Sequence, residues 1–364
     1  MRIRVLFLLA DLYVGGAQKV ILTLLRHLDR RTFDLHLGVG NRGGPLGEEI
    51  PEDIQVHDLG AERVRYAIPS VLRLCWSLKP KAMVATVGHL NLTLTAIRHL
   101  LPKGTRVLIR EANTPSVRLQ YTKYPLVSKI LYRLVYPLAD RIICNSKYMK
   151  QDLIESFSIK PEKIIVLFNP VDVDRIKTFL IGCQNPYDEE EENVVAVARL
   201  TYQKGIDLLL KAFKKAFERN SNLHLTIVGN GPEEDSLRAL AASSGIKDAV
   251  SFVGHRDNPY PFMKYADLFA LSSRWEGSPN AVMESLACGT PVVAFNCPGG
   301  IEEIIREGHN GWLVTPGDWQ AMGKKIKEVL AKSNPLGSKK GPLLPKEYEC
   351  ECAVKGYERL LLME

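Results

Sequence analysis

The sequence predicts an α/β protein of two domains, each a parallel sheet covered by helices on both faces, with the two sheets facing each other across a cleft. Three observations carry this. A chain of 364 residues, 46% apolar and 24% charged, exceeds what one hydrophobic core serves. Its β-rich runs are continuously apolar, the pattern of strands buried on both faces. Those runs alternate with segments of helical period, the rhythm of parallel sheets.

In the amino-terminal half, RIRVLFLL reads as a buried strand, Gly15 and Gly16 as a loop, and AQKVILTLLRHL as a helix. FDLHLGVG, AMVATVG, RVLIRE, RIICNS and KIIVLF read as further strands, with HLNLTLTAIRHLL as a helix between them. The carboxy-terminal half repeats the rhythm with strands VVAVARL, HLTIVG, VSFVG, DLFALSS and PVVAF. Its helices are expected at 205–218, 233–244, from Pro279 onward and at 319–331. The acidic run at 188–193 reads as a solvated approach to a strand, and KSNPLGSKKGPLLP as a linker. The expected domains are 1–172 and 190–340, with an amphipathic helix at 347–364 packing back on the first.

Charge is unevenly placed. Residues 1–175 hold 26 Lys and Arg against 16 Asp and Glu, a net of +10; residues 176–364 hold 22 against 25, a net of −3. A basic amino-terminal half points to an anionic partner. Nucleic acid is the weaker choice, because no recognition module appears and the aromatics are not set as stacking platforms. The stretch at 118–133 mixes Tyr, Leu and Val with Arg118, Lys123, Lys129 and Arg133. It reads either as a core helix with outward-reaching cations or as a surface for anionic lipid. The seven cysteines form no C-x-x-C pair, which fits reduced thiols rather than a disulfide framework or a zinc site. The first residues lack the long uncharged run of a signal peptide, and no stretch approaches a membrane span, so a cytoplasmic protein is expected.

The most specific signal is SRWEGSPNAVMESLACGTPVVAFNCPGG at 273–300. Glu276 and Glu284 straddle a loop-to-helix junction. Ser278 can cap the helix and Pro279 suits its first position. The amides of Asn280 and Ala281 then sit at the positive end of the helix dipole, a seat for a diphosphate. Glu284 suits two vicinal ribose hydroxyls, and Glu276 on the loop is placed to meet a sugar. In ARLTYQKG, Arg199 ends a strand and Lys204 follows before Gly205. Cations there enter the ligand crevice of an open α/β sheet and can neutralise a departing diphosphate. Asp172-Val173-Asp174 also matches the letters of a metal-binding Asp-x-Asp, following Asn169-Pro170 at a domain junction.

Taken together these motifs resemble glycosyltransferase family 4, whose members have the GT-B fold of two Rossmann-like domains and retain the anomeric configuration. The resemblance covers nearly the whole chain: Gly15-Gly16, His89 after a strand, NPVD at 169–172, R-L-x3-K-G, V-G-x-G at 228–231 and the glutamate pair. It implies that Arg199 and Lys204 hold the diphosphate, with Gly15, Gly16 and Gly229 lining the donor site. It also implies that Glu284 holds the ribose, that Glu276 with Gly277 meets the transferred sugar, and that His89 lies beside sugar and acceptor hydroxyl. Gly254, His255 and Arg256 would border the nucleobase. Arg110, Glu111 and Asn113, ending another strand, are candidates for the acceptor side. One departure stands out: where the family often has Glu two positions after the Gly-Gly loop, this chain has Gln18. The loop at 273–280 most resembles bacterial transferases that extend polyprenyl-diphosphate-linked glycans with hexoses or N-acetylhexosamines. The expectation is therefore a UDP-sugar donor, a glycan or lipid-linked acceptor, no cofactor or metal, and a place at the inner face of the plasma membrane. The rivals are a sugar-nucleotide epimerase or hydrolase on the same fold, a transferase with a soluble acceptor, and a catalytically silent partner subunit.

Overall fold

The computed structural model describes residues 2–61, 64–218, 220–331 and 343–363. The chain divides into two compact units, residues 1–170 with 350–364, and residues 171–349.

The first unit holds seven strands: β1 (Ile3–Asp11), β2 (Phe33–Asn41), β3 (Gln55–Asp58), β4 (Ala82–Thr86), β5 (Arg106–Arg110), β6 (Arg141–Cys144) and β7 (Ile164–Val166). They form one sheet in the order β3-β2-β1-β4-β5-β6-β7, every pairing parallel. Its helices are α1 (Gly16–His27), α2 (Val64–Leu78), α3 (Gly88–Ala96), α4 (Pro115–Gln120), α5 (Pro125–Val135) and α6 (Lys147–Phe157). Successive side chains of a strand point to opposite faces, and β1 feeds two cores in this way. Val5, Phe7 and Leu9 join Val20, Leu24 and Leu25 of α1 on one face, while Leu6 and Leu8 join Val71, Leu94 and Leu153 on the other. That explains why β1 is continuously apolar from Val5 to Ala10 rather than at alternate positions.

The second unit holds α7 (Val173–Leu180), β8 (Glu192–Val197), α8 (Ile206–Phe217), β9 (Leu223–Val228), α9 (Glu234–Ser243), β10 (Val250–Gly254), α10 (Tyr260–Tyr265), β11 (Leu268–Leu271), α11 (Asn280–Cys288), β12 (Val292–Phe295), α12 (Ile301–Ile304), β13 (Gly311–Val314) and α13 (Trp319–Leu330). Its sheet runs β10-β9-β8-β11-β12-β13, again all parallel. That is the doubly wound order 3-2-1-4-5-6, with a switch point between β8 and β11. The last helix, α14 (Cys350–Leu362), belongs to the first unit, where Val354, Tyr357, Leu360 and Leu361 join the α1 core. Most of the linker expected at 332–345, residues 332–342, lies outside the described residues.

Candidate functional site

At a switch point the chains leaving two adjacent strands run in opposite directions, which opens a crevice at their carboxyl ends. In the second unit β8 delivers Arg199 and Lys204 to this crevice, and β11 delivers Ser273 to Glu276. The two loops are tied together. Arg274 donates to both carboxylate oxygens of Asp207 (2.9 and 2.8 Å) and to the Tyr202 carbonyl (2.7 Å), and its guanidinium lies 3.9 Å from the Tyr202 ring centroid. Gln203 donates to the Trp275 carbonyl, and the Ser272 hydroxyl to the Lys204 carbonyl. Gly205 is left-handed (φ +61°), and a Cβ there would lie 2.1 Å from the Ser272 carbonyl oxygen. Only glycine lets the strands' exits approach this closely.

The result is a partly buried ion pair across the crevice, the glutamate end the more buried. Lys204 Nζ donates to Glu276 Oε1 at 2.6 Å, and the Ser273 hydroxyl donates to the same oxygen at 2.6 Å. The Glu276 backbone is held by the loop after β12: Glu276 N–H donates to Pro298 O, and Gly300 N–H to Gly277 O. Burial, with the Glu276 charge adding to it, pushes the Cys297 thiol well above its ordinary range. Arg199, by contrast, is exposed and forms no ion pair among the described residues.

Helix α11 begins at Asn280 with Pro279 as its N-cap, one residue later than the sequence predicts, and the first intrahelical bond runs from Val282 N–H to Pro279 O. Ser278 is therefore not the cap; its hydroxyl lies against Met283 Sδ at 3.9 Å. Proline already fixes the entry backbone, so the helix starts without a side-chain cap. Asn280 and Ala281 still occupy the positions whose amides point out of the amino end. Glu284, half-buried, stands one turn on from Asn280, on the same face. The remaining strand ends flank this centre. Gly229 (φ +134°) leaves β9 so close to β8 that a Cβ would meet Ala198 O at 1.9 Å, and its N–H donates to Gly254 O. Gly254, His255 and Arg256 thus follow at the end of β10, with His255 3.3 Å from the Asp257 carboxylate.

The first unit has its own switch point, between β1 and β4. Asp11 ends β1, and His89 follows β4 in the first turn of α3. A cavity of about 370 Å³ opens between them, with Asp11, Tyr13, Asn41 and His89 among its polar lining and Ile68, Val71 and Leu94 among its apolar lining. Val87, just before His89, holds φ +81°, a conformation that costs a β-branched residue about 1–3 kcal/mol. The strain turns the chain sharply so that α3 starts with its histidine at the cavity. Although part of the imidazole reaches solvent, crowding by neighbouring chain and the Arg118 charge push it below its ordinary range, with Asp11 acting the other way. Gly15 caps α1, and Gln18 donates from Nε2 to Asp11 Oδ1 at 3.0 Å. A glutamate at 18 would face Asp11 as a like charge, so the glutamine fits its neighbour.

Family models match both halves: "Glycosyltransferase Family 4" over residues 14–175 and "Glycosyl transferases group 1" over residues 183–339. A Campylobacter jejuni protein named N-acetylgalactosamine-N,N'-diacetylbacillosaminyl-diphospho-undecaprenol 4-alpha-N-acetylgalactosaminyltransferase is 32% identical over 330 residues, 87% of each chain. The chain belongs to glycosyltransferase family 4. The lipopolysaccharide core biosynthesis glycosyltransferase LpsE of Rhizobium meliloti is 28% identical over 88% of this transferase and 87% of its own length. Among solved structures, Anabaena Alr3699/HepE in complex with UDP-glucose matches with a TM-score of 0.79 at 19% identity, covering all of both chains. The lipopolysaccharide outer core galactosyltransferase WaaB matches with 0.72 at 17%, covering 98% of each. The transferase therefore has the GT-B fold.

Two of the acceptor-side candidates of this transferase are corrected by the structure. Arg110 is 1% exposed and donates to the Tyr357 hydroxyl, the Thr86 hydroxyl and Asn169 Oδ1. Glu111 is equally buried; it accepts from the Tyr136 hydroxyl and from Asn91 Nδ2, and burial raises its carboxyl's affinity for a proton. Arg110 ends an inner strand and Glu111 follows it, and their partners close over both, so they hold the unit together rather than line an acceptor cleft. Asn113 is half-buried, its Oδ1 accepting from Thr114 N–H. Asp172 caps α7 by accepting from Arg175 N–H, and Asp174 pairs with Lys177. Sequence reasoning passed over Asp11, Asp207, Ser273 and Arg274. Asp11 carried a signal: it is the first charge after β1's apolar run, hence at that strand's carboxyl end.

Proposed function

We propose that this family 4 member is a retaining, metal-independent glycosyltransferase that moves a hexose or N-acetylhexosamine from a UDP-sugar to a polyprenyl-diphosphate-linked glycan. The observation that carries it is the Lys204–Glu276 pair at the β8/β11 switch point, with Arg199 exposed on the same loop after β8 and the amino end of α11 at the same sheet edge. Two cations and a helix dipole offer a departing diphosphate the charge that a metal otherwise supplies. Asp172 and Asp174, engaged by α7 and Lys177, do not form a metal-binding pair in this reading. Glu284 takes the ribose and Glu276 the transferred sugar.

Among the described residues Glu276, the carboxylate at the crevice, already accepts from Lys204 and Ser273, so we favour attack by the acceptor hydroxyl on the face the diphosphate leaves over a covalent intermediate. His89, neutral at physiological pH, accepts the hydroxyl's proton or hydrogen-bonds the sugar. The UDP-glucose complex of the Anabaena neighbour supports the donor, and the Campylobacter relative's name supports both an undecaprenol-diphosphate acceptor and an alpha linkage. No helix among the described residues is long and apolar enough to cross a membrane; with such an acceptor the enzyme works peripherally, at the inner face of the plasma membrane.

The test is a melting-curve screen against nucleotide sugars, where a ligand at a hundred times its Kd stabilises by about 2.7 kcal/mol, followed by transfer to polyprenyl-diphosphate-linked acceptors with and without EDTA. A UDP-sugar shift and EDTA-resistant transfer that yields the donor's own anomer are expected. Full loss of transfer in EDTA, or rapid acceptor-free release of free or isomerised sugar, sinks the reading.

A further inference from the structure

Helix α5 is built inside out. Its inner side is polar-aromatic: Tyr132 is its one fully buried residue, stacked on Tyr136 (4.1 Å between ring centroids), packed on Phe157 (5.1 Å) and 3.4 Å from the Glu111 carboxylate. Its outer side is aliphatic. Leu126, Ile130 and Leu134, spaced four apart and so stacked along one face, are 78%, 55% and 67% exposed, with Val127 and Leu131 beside them. A helix that packs on a soluble protein turns its leucines inward; this one turns them to solvent.

The surroundings specify what covers that face. From Ala112 to Ala139 the chain carries Arg118, Lys123, Lys129 and Arg133 and no acidic residue. Arg118 is turned toward Gly88. Lys123, Lys129 and Arg133 are exposed, the last two on consecutive turns at one margin of the aliphatic stripe. Tyr121 and Tyr124, both more than half exposed, stand at the helix's amino end. The apolar surface continues past the helix. Leu138 is exposed and its carbonyl accepts from Arg98; two residues on, the exposed pair Leu100 and Trp76 is joined by a 3.0 Å hydrogen bond. An exposed aliphatic stripe, a basic margin and flanking Tyr and Trp are what a helix lying in a lipid–water interface presents. Apolar contact alone would also suit a second copy of this chain, but a dimer would set these cations near one another without acidic partners on this segment.

We infer that α5 docks the protein on an anionic lipid surface, lying in the interface plane with Leu126, Ile130 and Leu134 inserted and Lys129 and Arg133 on the headgroups. This gives the lipid-linked acceptor reading its membrane contact and rests on that reading for its purpose, but it can be measured with neither donor nor acceptor present. The full chain is sedimented with phosphatidylcholine vesicles with and without phosphatidylglycerol, at low and high salt. Three forms are compared: the parent, a variant with Leu126→Asp, Ile130→Asp and Leu134→Asp, and a variant with Lys129→Ala and Arg133→Ala. All five positions are exposed, and an unchanged melting temperature and UDP-sugar shift show that each variant is folded. Expected are binding by the parent that needs phosphatidylglycerol and weakens with salt, at least tenfold loss in the triple variant, and about fivefold loss for each cation removed. An unbound parent, a triple variant that binds like the parent, or a parent dimer that the triple variant splits overturns the docking surface. A retained UDP-sugar shift in those cases leaves the transferase reading intact.

Discussion

Lys204 Nζ and Glu276 Oε1 stand 2.6 Å apart across the β8/β11 crevice, the lysine side chain 20% exposed and the glutamate 7%. The two ends of this pair are not equivalent. Lys204→Met strands a buried carboxylate and should cost about 3 kcal/mol of stability, whereas Glu276→Gln leaves a lysine that can still reach solvent and should cost about 1 kcal/mol. Both should lower kcat by about 10²–10³-fold. Denaturant melts and turnover of the two variants check this; equal melts with parental turnover would dismiss the pair as a surface ornament.

Arg274 is a positioning residue: it braces the Lys204 loop against the Glu276 loop through Asp207 and the Tyr202 carbonyl. Arg274→Ala should raise the donor KM more than it lowers kcat, and Arg274→Lys should restore little, because lysine lacks the two-pronged geometry. A double-mutant cycle with Asp207→Asn should give a coupling of about 1 kcal/mol, reduced from a buried value by partial exposure. Zero coupling would mean the brace is incidental.

His89 has its proton affinity lowered by crowding and by Arg118. Its neutral form therefore persists somewhat below the ordinary histidine value of about 6.5, and the acid limb of a kcat/KM profile should lie below that pH. His89→Gln should remove the limb along with most activity. For stability the sign is the same: the unfolded chain takes up this proton at higher pH than the folded one, so His89 weakens the fold as pH falls through and below 6.5. A parental acid limb in the variant would assign it to another group.

Tyr357 donates no charge, yet Arg110 depends on it. Tyr357→Phe should cost about 1–2 kcal/mol by leaving a buried guanidinium donor unpaired. Removing α14 before Cys350 should cost far more, since Leu360 and Leu361 alone each contribute about 1.5–3 kcal/mol of burial. Urea melts of the first and soluble yield of the second are the measurements; parental values in both would make the helix dispensable.

Legibility followed burial. The inner strands β1, β4, β8, β9 and β12 announce themselves as apolar runs because both faces are covered. Of the four edge strands, β7 and β10 still read as apolar runs, but β3 (QVHD) and β13 (GWLV) do not: β3 is short and polar, and β13 is only four residues long. Arg110 and Glu111 misled because a charge at a strand's carboxyl end ordinarily reaches a ligand crevice. Nothing local reveals that Tyr357 or Tyr136, distant in sequence, closes over it. Glu276, Glu284, Arg199 and Lys204 were readable because turn chemistry and strand ends fix their places locally. Arg274 is not, since its role is a bond to Asp207, 67 residues away in the chain.

The return of α14 to the first unit also orders events during synthesis. Residues 1–170 leave the ribosome first, but the α1 side of their sheet lacks part of its cover and Arg110 lacks Tyr357 until all of residues 171–349 have followed. The amino-terminal unit must wait in an unfinished state, while the carboxy-terminal unit can complete itself as it emerges. Reversing the usual first-made, first-folded order leaves the nascent first unit, rather than the second, as the natural client of a holding chaperone.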